Sequence, residues 1–302
     1  MTFLIVLLAL FVERVLQQQR PRRQHRWFDS YCRRLSAATF AQGLLARPWG
    51  AVFALLPLLA MVAWLQVIFR DLGSLSGFVF GFVTLLYSLG PRDLGEDAEA
   101  FVEARDNGDD ERAGALARQL CLSDVPLEEP RRSFAVARAV VVLANRRLIG
   151  PIFWFVLFGA VGAAAYRVIQ LLAERLQAEE CPNIARRYSD ELRHVADWGP
   201  ARITAAGYAI AGNFEAVSHA WRTFDYIPDE GPLTEAENLL ARTGLAALDT
   251  FPDDADEFTA TEAGMHWEPA PPVVEDALAL VWRSLATWVA VIAGGSLVAA
   301  LA

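Results

Sequence analysis

The sequence contains no lysine, so all 27 of its basic residues are arginine. Its three cysteines lie far apart and form no CxxC pair, a pattern that predicts neither a disulfide framework nor a cysteine metal site. The net charge of −9 argues against nucleic acid as a partner, because no basic surface is left over to bind phosphates.

Sequence signatures of common catalytic sites are also missing. There is no Walker A loop, no GxSxG elbow, no GxGxxG after a strand and no HExxH helix. Internal repeats and low-complexity tracts are absent as well. Residue patterns alone therefore give no catalytic residues, no metal and no cofactor.

Long hydrophobic runs, by contrast, are abundant. Hydrophobic residues make up 54% of the chain, and the mean hydropathy is +0.27. They are concentrated in runs at 49–69, 72–90, 149–172 and 284–302, with Arg167 as the one charge inside the third. Each run has about the 17–25 residues that a helix needs to cross a bilayer. Four such runs in one chain are not expected of a soluble protein.

The N-terminus carries a fifth, shorter run at 2–12, which ends at Glu13 and Arg14. A signal peptide has its positive charge before the apolar run, and here the charge follows it. We interpret the run as an uncleaved anchor or a half-inserted helix. The predicted fold class is thus an all-α integral membrane protein with about four to five hydrophobic helices and helical extramembrane loops.

Arginine placement predicts an orientation. Residues 17–48 hold seven arginines against one acid, Asp29, which favours the cytoplasmic side of the membrane. The Arg70–Asp71 turn would then be periplasmic, and the chain would return to the cytoplasm at Arg92. We therefore expect a multi-pass protein of a bacterial inner membrane, with the lipid bilayer as its first partner.

These patterns divide the chain into six segments. The predicted segments are an N-terminal anchor helix with an Arg-rich cytoplasmic stretch (1–48), a transmembrane helix pair (49–90), a polar helical loop (91–147), a transmembrane helix (148–172), an acidic helical extramembrane region (173–276) and a C-terminal transmembrane helix (277–302).

The polar loop is predicted to be helical. The residues Asp93-x-x-Glu96 form a possible capping box, and 106–109 have turn composition, so a small helical hairpin is expected. A third helix at 132–144 is apolar enough to enter the bilayer.

The acidic region, 173–276, has 21 acidic residues against seven arginines. A helix at 184–198 should stop at Gly199–Pro200 and a new one begin, and a further helix is expected at 234–248. Asp190, His194 and Asp197 share one helix face, where a metal site and a solvated polar face are the alternatives. Without a second histidine nearby, we favour the solvated face.

Several strings resemble the membrane family that unites AmpE with the cobalamin enzymes CobD and CbiB. The strings are Gly90–Leu94, the Asn107–Asp109 turn, Gly150–Trp154, Phe158–Ala163 with Tyr166–Arg167, and Asp197–Arg202, and the resemblance runs to about Trp221. For the enzymes, it implies joining an aminopropanol-type amine to a carboxylate of adenosylcobyric acid. For AmpE, it implies an inner-membrane signalling or sensory component of β-lactamase induction, encoded beside a cell-wall amidase.

Differences from the enzyme pattern favour the AmpE branch. Asn145 remains, but Ala144 stands where the enzymes have Glu, and no acid lies between Asn145 and Pro151. Amide formation would need such groups for acid–base chemistry or for holding a metal. We therefore expect a non-catalytic signalling or accessory protein linked to cell-wall stress. The alternatives are a cobalamin-type amide-forming enzyme and, more weakly, a small transporter.

Eight polar or aromatic residues are the candidates for a ligand pocket. We expect the protein to bind either a cell-wall-derived small molecule or a membrane or periplasmic protein. The candidates are Arg92, Asp93, Asp109, Asn145, Trp154, Arg167, Asp197 and Arg202. Capping is the alternative for Asp93, and a turn or cap for Asp109. Arg167 is either a buried, paired residue or one that extends to the membrane surface.

The pocket raises a conflict over topology. One crossing at 149–172 would place Ala173 onward in the periplasm, away from Asp109. A hairpin within 132–172 would instead keep Asp109 and Arg202 on one side. We favour the single crossing.

Overall fold

The computed structural model describes residues 2–16, 28, 30–31, 50–89, 94–121, 125–178, 183–225, 233–248 and 273–301. Every regular element in these residues is helical, as expected of an all-α protein. The helices are α1 Thr2–Leu16, α2 Gly50–Asp71, α3 Ser74–Ser88, α4 Leu94–Asp106, α5 Asp110–Leu120, α6 Arg131–Ala144, α7 Gly150–Phe158, α8 Ala160–Ala178, α9 Asn183–Ala211, α10 Phe214–Arg222, α11 Glu235–Ala246 and α12 Val273–Leu301. A π-helix, Asn145–Ile149, joins α6 to α7.

The chain forms two compact units. The first unit contains Met1–Pro91 and Gly150–Gly199, and the second contains Arg92–Ile149 and Pro200–Ala302. Asp109 and Arg202 therefore belong to the same unit.

The first unit leaves many large apolar side chains exposed. Examples are Phe11 on α1, Trp64 on α2 and Leu75 on α3, which are 64%, 65% and 76% exposed. In part of its interior, Phe28 and Leu55 pack among apolar residues of α8. Helices that face lipid expose this kind of surface, whereas a soluble protein seldom leaves so large an apolar area uncovered.

The α2–α3 connection is the tight turn that the sequence predicts. Helix α2 ends at Asp71, and Gly73 has a φ of 135°, a value that L side chains rarely adopt. The Ser76 hydroxyl donates to the carbonyls of Phe69 and Gly73, both at 2.8 Å. Phe69 and Phe80 stack across the pair with ring centroids 5.1 Å apart.

The expected single helix at 149–172 is wrong, because the chain doubles back at Gly159. This glycine has a φ of 66° and separates α7 from α8. A Cβ on Gly162 would lie 2.1 Å from the Trp154 carbonyl oxygen, and one on Gly150 would lie 2.4 Å from the Tyr166 ring. Position 162 thus faces position 154, and position 166 faces position 150. Because residues farther along α8 face residues farther back along α7, the two helices are antiparallel. We call this pair the α7–α8 hairpin.

The second unit is built around α6. Its residues from Val136 to Ala144 are buried or nearly so, and the neighbouring helices α4, α5, α11 and α12 supply the cover. The sequence predicts that this helix could enter the bilayer, but in the structure its apolar side chains are buried against other helices of the protein. The α4–α5 hairpin and helix α11, which the sequence predicts at 234–248, are present.

Helix α12 changes its surroundings along its length. Val273, Ala277, Leu280 and Leu285 are buried in the second unit, whereas Leu297 near the other end is 63% exposed. Length and hydropathy identify two candidate spans among the described residues, Arg131–Phe158 and Val273–Val298. In the most apolar 18-residue stretch of each, 67% and 28% of the residues, respectively, are buried in the protein.

Candidate functional site

Two candidates, Arg92 and Asp93, lie outside the described residues. Asp109 is an exposed N-cap of α5 whose carboxylate accepts a hydrogen bond from the Arg112 backbone N–H at 3.0 Å. Such a contact satisfies one of the free donors of the first helical turn, so the capping interpretation describes Asp109.

The first unit contains a buried polar cluster centred on Asp197, which is 1% exposed. Its Oδ1 accepts hydrogen bonds from the Tyr166 hydroxyl at 2.7 Å and from Gln170 Nε2 at 2.9 Å. Arg193 Nε lies 3.6 Å from the other carboxylate oxygen. We call Tyr166, Gln170, Arg193 and Asp197 the Asp197 cluster.

Helical spacing assembles the Asp197 cluster. Tyr166 and Gln170 are one turn apart on α8, and Arg193 and Asp197 are one turn apart on α9, so each pair shares a helix face. A buried carboxylate is costly unless it is paired and hydrogen-bonded, and here it has both kinds of partner. The cluster replaces the solvated face expected for Asp197, while His194 is only partly buried.

Arg167 follows Tyr166 on α8 and is 5% exposed. Protein encloses its side chain, as the buried interpretation requires, so it does not extend to a membrane surface. Its binding of a ligand stays a prediction.

Trp154 lies on α7 and donates its indole N–H to the Ala196 backbone carbonyl at 2.9 Å. Phe153 meets it edge to face, and Phe158 stacks on it at 5.7 Å. The indole is thus held in one orientation by a hydrogen bond to backbone and by two rings.

The second unit places Asn145 in the π-helix, where it is 1% exposed. Its Oδ1 lies 3.0 Å from the Thr204 hydroxyl, which is also 2.9 Å from the Pro200 carbonyl. A π-helix inside a longer helix often occurs at a functional position. Here the π-helix places the Asn145 amide, and no carboxylate, against α9.

Ion pairs join the helices of the second unit near Asn145. Arg147 donates to Asp97 at 2.9 Å, and Arg146 Nη1 lies 3.5 Å from Glu237 Oε1. Arg202 donates to Glu235 at 3.2 Å. The predicted Arg202 therefore binds an acid of α11, and among the described residues no contact joins it to Asp109.

Cys121 is the one cysteine among the described residues. Burial raises the pKa of its thiol to about 11, although Arg138 acts in the opposite direction. The thiol is therefore protonated at neutral pH and is a poor nucleophile. Among the described residues, no three His, Cys, Asp or Glu side chains are grouped to hold a metal ion.

Comparison with known proteins decides the family. The sequence model described as "Regulatory signalling modulator protein AmpE" matches residues 1–228, well over half of the chain. The chain belongs to the AmpE family. It is also similar to the cobalamin biosynthesis protein CobD of Stutzerimonas stutzeri, with 28% identity covering 97% of each chain. CobD of Chromobacterium violaceum is 29% identical over 51% of each. No solved structure matches.

AmpE-family membership confirms the resemblance seen in the sequence and, with the exposed apolar helices, indicates membrane association. Two of the strings that carried it contact each other in the first unit, since Phe153 of Gly150–Trp154 lies against Gly199 of Asp197–Arg202.

Four polar residues were not identified as site residues from the sequence. Tyr166, Gln170, Arg193 and Thr204 have their polar atoms next to candidates that the sequence did identify. The available signal was the i, i+4 spacing of polar residues, at 166 and 170 within an apolar run and at 193 and 197 within a polar one.

Proposed function

We propose that this AmpE-family protein is a multi-pass component of the bacterial inner membrane that regulates the response to cell-wall stress, including β-lactamase induction, without catalysing a reaction. The match of the AmpE family model over residues 1–228 carries the proposal. The exposed apolar faces of α1, α2, α3 and the end of α12 support a multi-pass arrangement.

The polar residues support a regulatory role better than amide formation. In the π-helix Asn145–Ile149 the side chains are one amide, two arginines and two apolar groups, with no acid. The Asn145 amide is bonded to Thr204, and Asp197 is bonded to Tyr166 and Gln170. Acid–base catalysis needs a carboxylate that can reach a substrate, and these groups bind each other.

The second candidate function is formation of an amide bond in cobalamin biosynthesis. The similarity to CobD of Stutzerimonas stutzeri favours it, because that similarity covers 97% of both chains and so includes the part beyond residue 228. The lack of an acid at Ala144 and between Asn145 and Pro151 counts against it.

We expect the two functions to separate in two genetic assays. Deleting the gene in its own host should change β-lactamase activity induced by a sub-inhibitory β-lactam, and the intact gene should restore it. The gene should not restore growth of a cobalamin auxotroph that lacks its own amide-forming enzyme, whereas a CobD gene should. Growth of the auxotroph with unchanged β-lactamase induction would overturn the regulatory function.

The α7–α8 hairpin supports a revised topology. We place the 71–74 turn in the periplasm and the helices of the second unit from α4 to α11, apart from the bilayer-spanning α12, in the cytoplasm, because the chain turns back at Gly159 instead of crossing. In the continuous helical segment Arg131–Phe158, the part beyond the buried α6 and the π-helix is α7, whose 9 residues span roughly 14 Å, less than half of a bilayer core. The partner, a membrane or periplasmic protein or a cell-wall-derived molecule, would then act through the first unit.

A further inference from the structure

Helix α9 continues through a proline, where the sequence predicts a stop. Asn183–Ala211 is one helix of 29 residues with Pro200 inside it. Proline has no backbone N–H, so it cannot donate to the carbonyl four residues earlier, and its ring crowds that carbonyl. In α9 the carbonyl in question belongs to Ala196.

The Ala196 carbonyl has a replacement donor. It accepts the Trp154 indole N–H at 2.9 Å, and Ala196 itself is only 6% exposed. A buried carbonyl that has no donor destabilises a fold, so the indole supplies at this position what the helix itself cannot.

The residues around Trp154 hold its indole in position to donate this hydrogen bond. Gly199, beside the proline, has room for Phe153, whose ring would lie 3.1 Å from a Cβ at that position. Trp154 is fixed between Phe153 and Phe158, with which it makes an edge contact and a stack. On the other side of the proline, the Thr204 hydroxyl lies 2.9 Å from the Pro200 carbonyl.

We propose that Trp154 is a positioning residue that replaces the missing N–H of Pro200, and so holds the Ala196 turn of α9 in place and keeps Asp197 within hydrogen-bonding distance of Tyr166 and Gln170. Asp197 follows Ala196 directly, so a bend that released the Ala196 carbonyl would move the carboxylate as well. The Trp154–Ala196 bond and the Asp197 cluster therefore form or break together, whether the protein is a regulator or an enzyme.

A double-mutant cycle tests this role. Trp154→Phe keeps an aromatic ring but removes the N–H, and should lower the melting temperature in detergent by roughly 4 °C. Pro200→Ala restores a backbone donor to the Ala196 carbonyl. In the Pro200→Ala background, Trp154→Phe should therefore shift the melting temperature by less than roughly 1 °C.

Hydrogen–deuterium exchange gives a readout that general destabilisation does not imitate. Trp154→Phe should speed exchange of the amides at 197–204 in the chain with Pro200, and leave it unchanged in the Pro200→Ala chain. Trp64→Phe is the matched control, because Trp64 is 65% exposed, and it should change neither measurement. An equal effect of Trp154→Phe in both backgrounds, or no effect in either, would overturn the proposal.

Discussion

Replacing Asp197 with alanine should lower the melting temperature of the detergent-solubilised protein by roughly 10 °C. The substitution removes the acceptor of Tyr166 and Gln170 and the carboxylate that lies 3.6 Å from Nε of Arg193, which is 4% exposed. Breaking a buried pair in this way costs about 3–5 kcal/mol, and each kcal/mol lowers the melting temperature of a chain this size by about 2–4 °C.

Two further variants make the result specific. Asp197→Asn keeps an oxygen that can accept from Tyr166 and Gln170 but loses the charge opposite Arg193, so its melting temperature should fall between those of wild type and Asp197→Ala. Asp71→Ala, at the exposed end of α2, should melt like wild type. If Asp197→Ala and Asp71→Ala melt together, the Asp197 cluster contributes nothing to the stability of the first unit.

The second large effect is expected at Gly162. An alanine Cβ there would lie 2.1 Å from the Trp154 carbonyl oxygen and 2.8 Å from its carbonyl carbon. These are backbone atoms, so the contact can be relieved only by moving α7 away from α8. Overpacking typically costs about 1–3 kcal/mol, and we expect Gly162→Ala to destabilise the protein by at least the upper value of that range. Melting temperature and the yield of monodisperse protein measure it.

Gly295 provides the matched control for Gly162. It lies in the exposed part of α12, and a Cβ there would meet nothing within 4 Å. Gly295→Ala should be neutral or stabilising by up to about 1 kcal/mol, because alanine is the better helix former. A Gly162→Ala protein that melts as high as Gly295→Ala would contradict the close antiparallel packing of the α7–α8 hairpin.

Sequence patterns predicted the elements whose causes are local. Helix α11 begins at Glu235, after the N-cap Thr234, which forms a capping box with Glu237, and the 106–109 turn separates α4 from α5. Both depend on residues within a few positions of each other. The hydrophobic runs that form α2 and α3 are likewise visible without any knowledge of packing.

The two elements that the sequence mispredicted depend on distant contacts. The small residues at 159–163 suit helix packing as well as a reversal, and only the φ of Gly159 distinguishes them. Gly199–Pro200 is a sound stop signal by itself, yet α9 continues because Trp154, more than forty residues earlier, binds the Ala196 carbonyl.

The candidate site was predictable in part, for the same reason. Arg167 stands out as a charge inside an apolar run, Asn145 and Asp197 were identified from the family resemblance, and all three are buried. Their partners Tyr166 and Thr204 are ordinary residues in sequence, and only the packing of α9 makes them functional candidates.

Cysteine accessibility tests most directly the claim that the chain turns back at Gly159 and keeps α5 and α10 on one side of the membrane. In a chain without Cys32, Cys121 and Cys181, single cysteines would replace Ser74, Glu111 and Glu215, which are all exposed. A membrane-impermeant maleimide applied to intact cells with a permeable outer membrane should label position 74 only. After the inner membrane is opened, it should label all three positions. Labelling of position 215 together with 74 in intact cells, with 111 protected, would show a single crossing at 149–172 and contradict the hairpin.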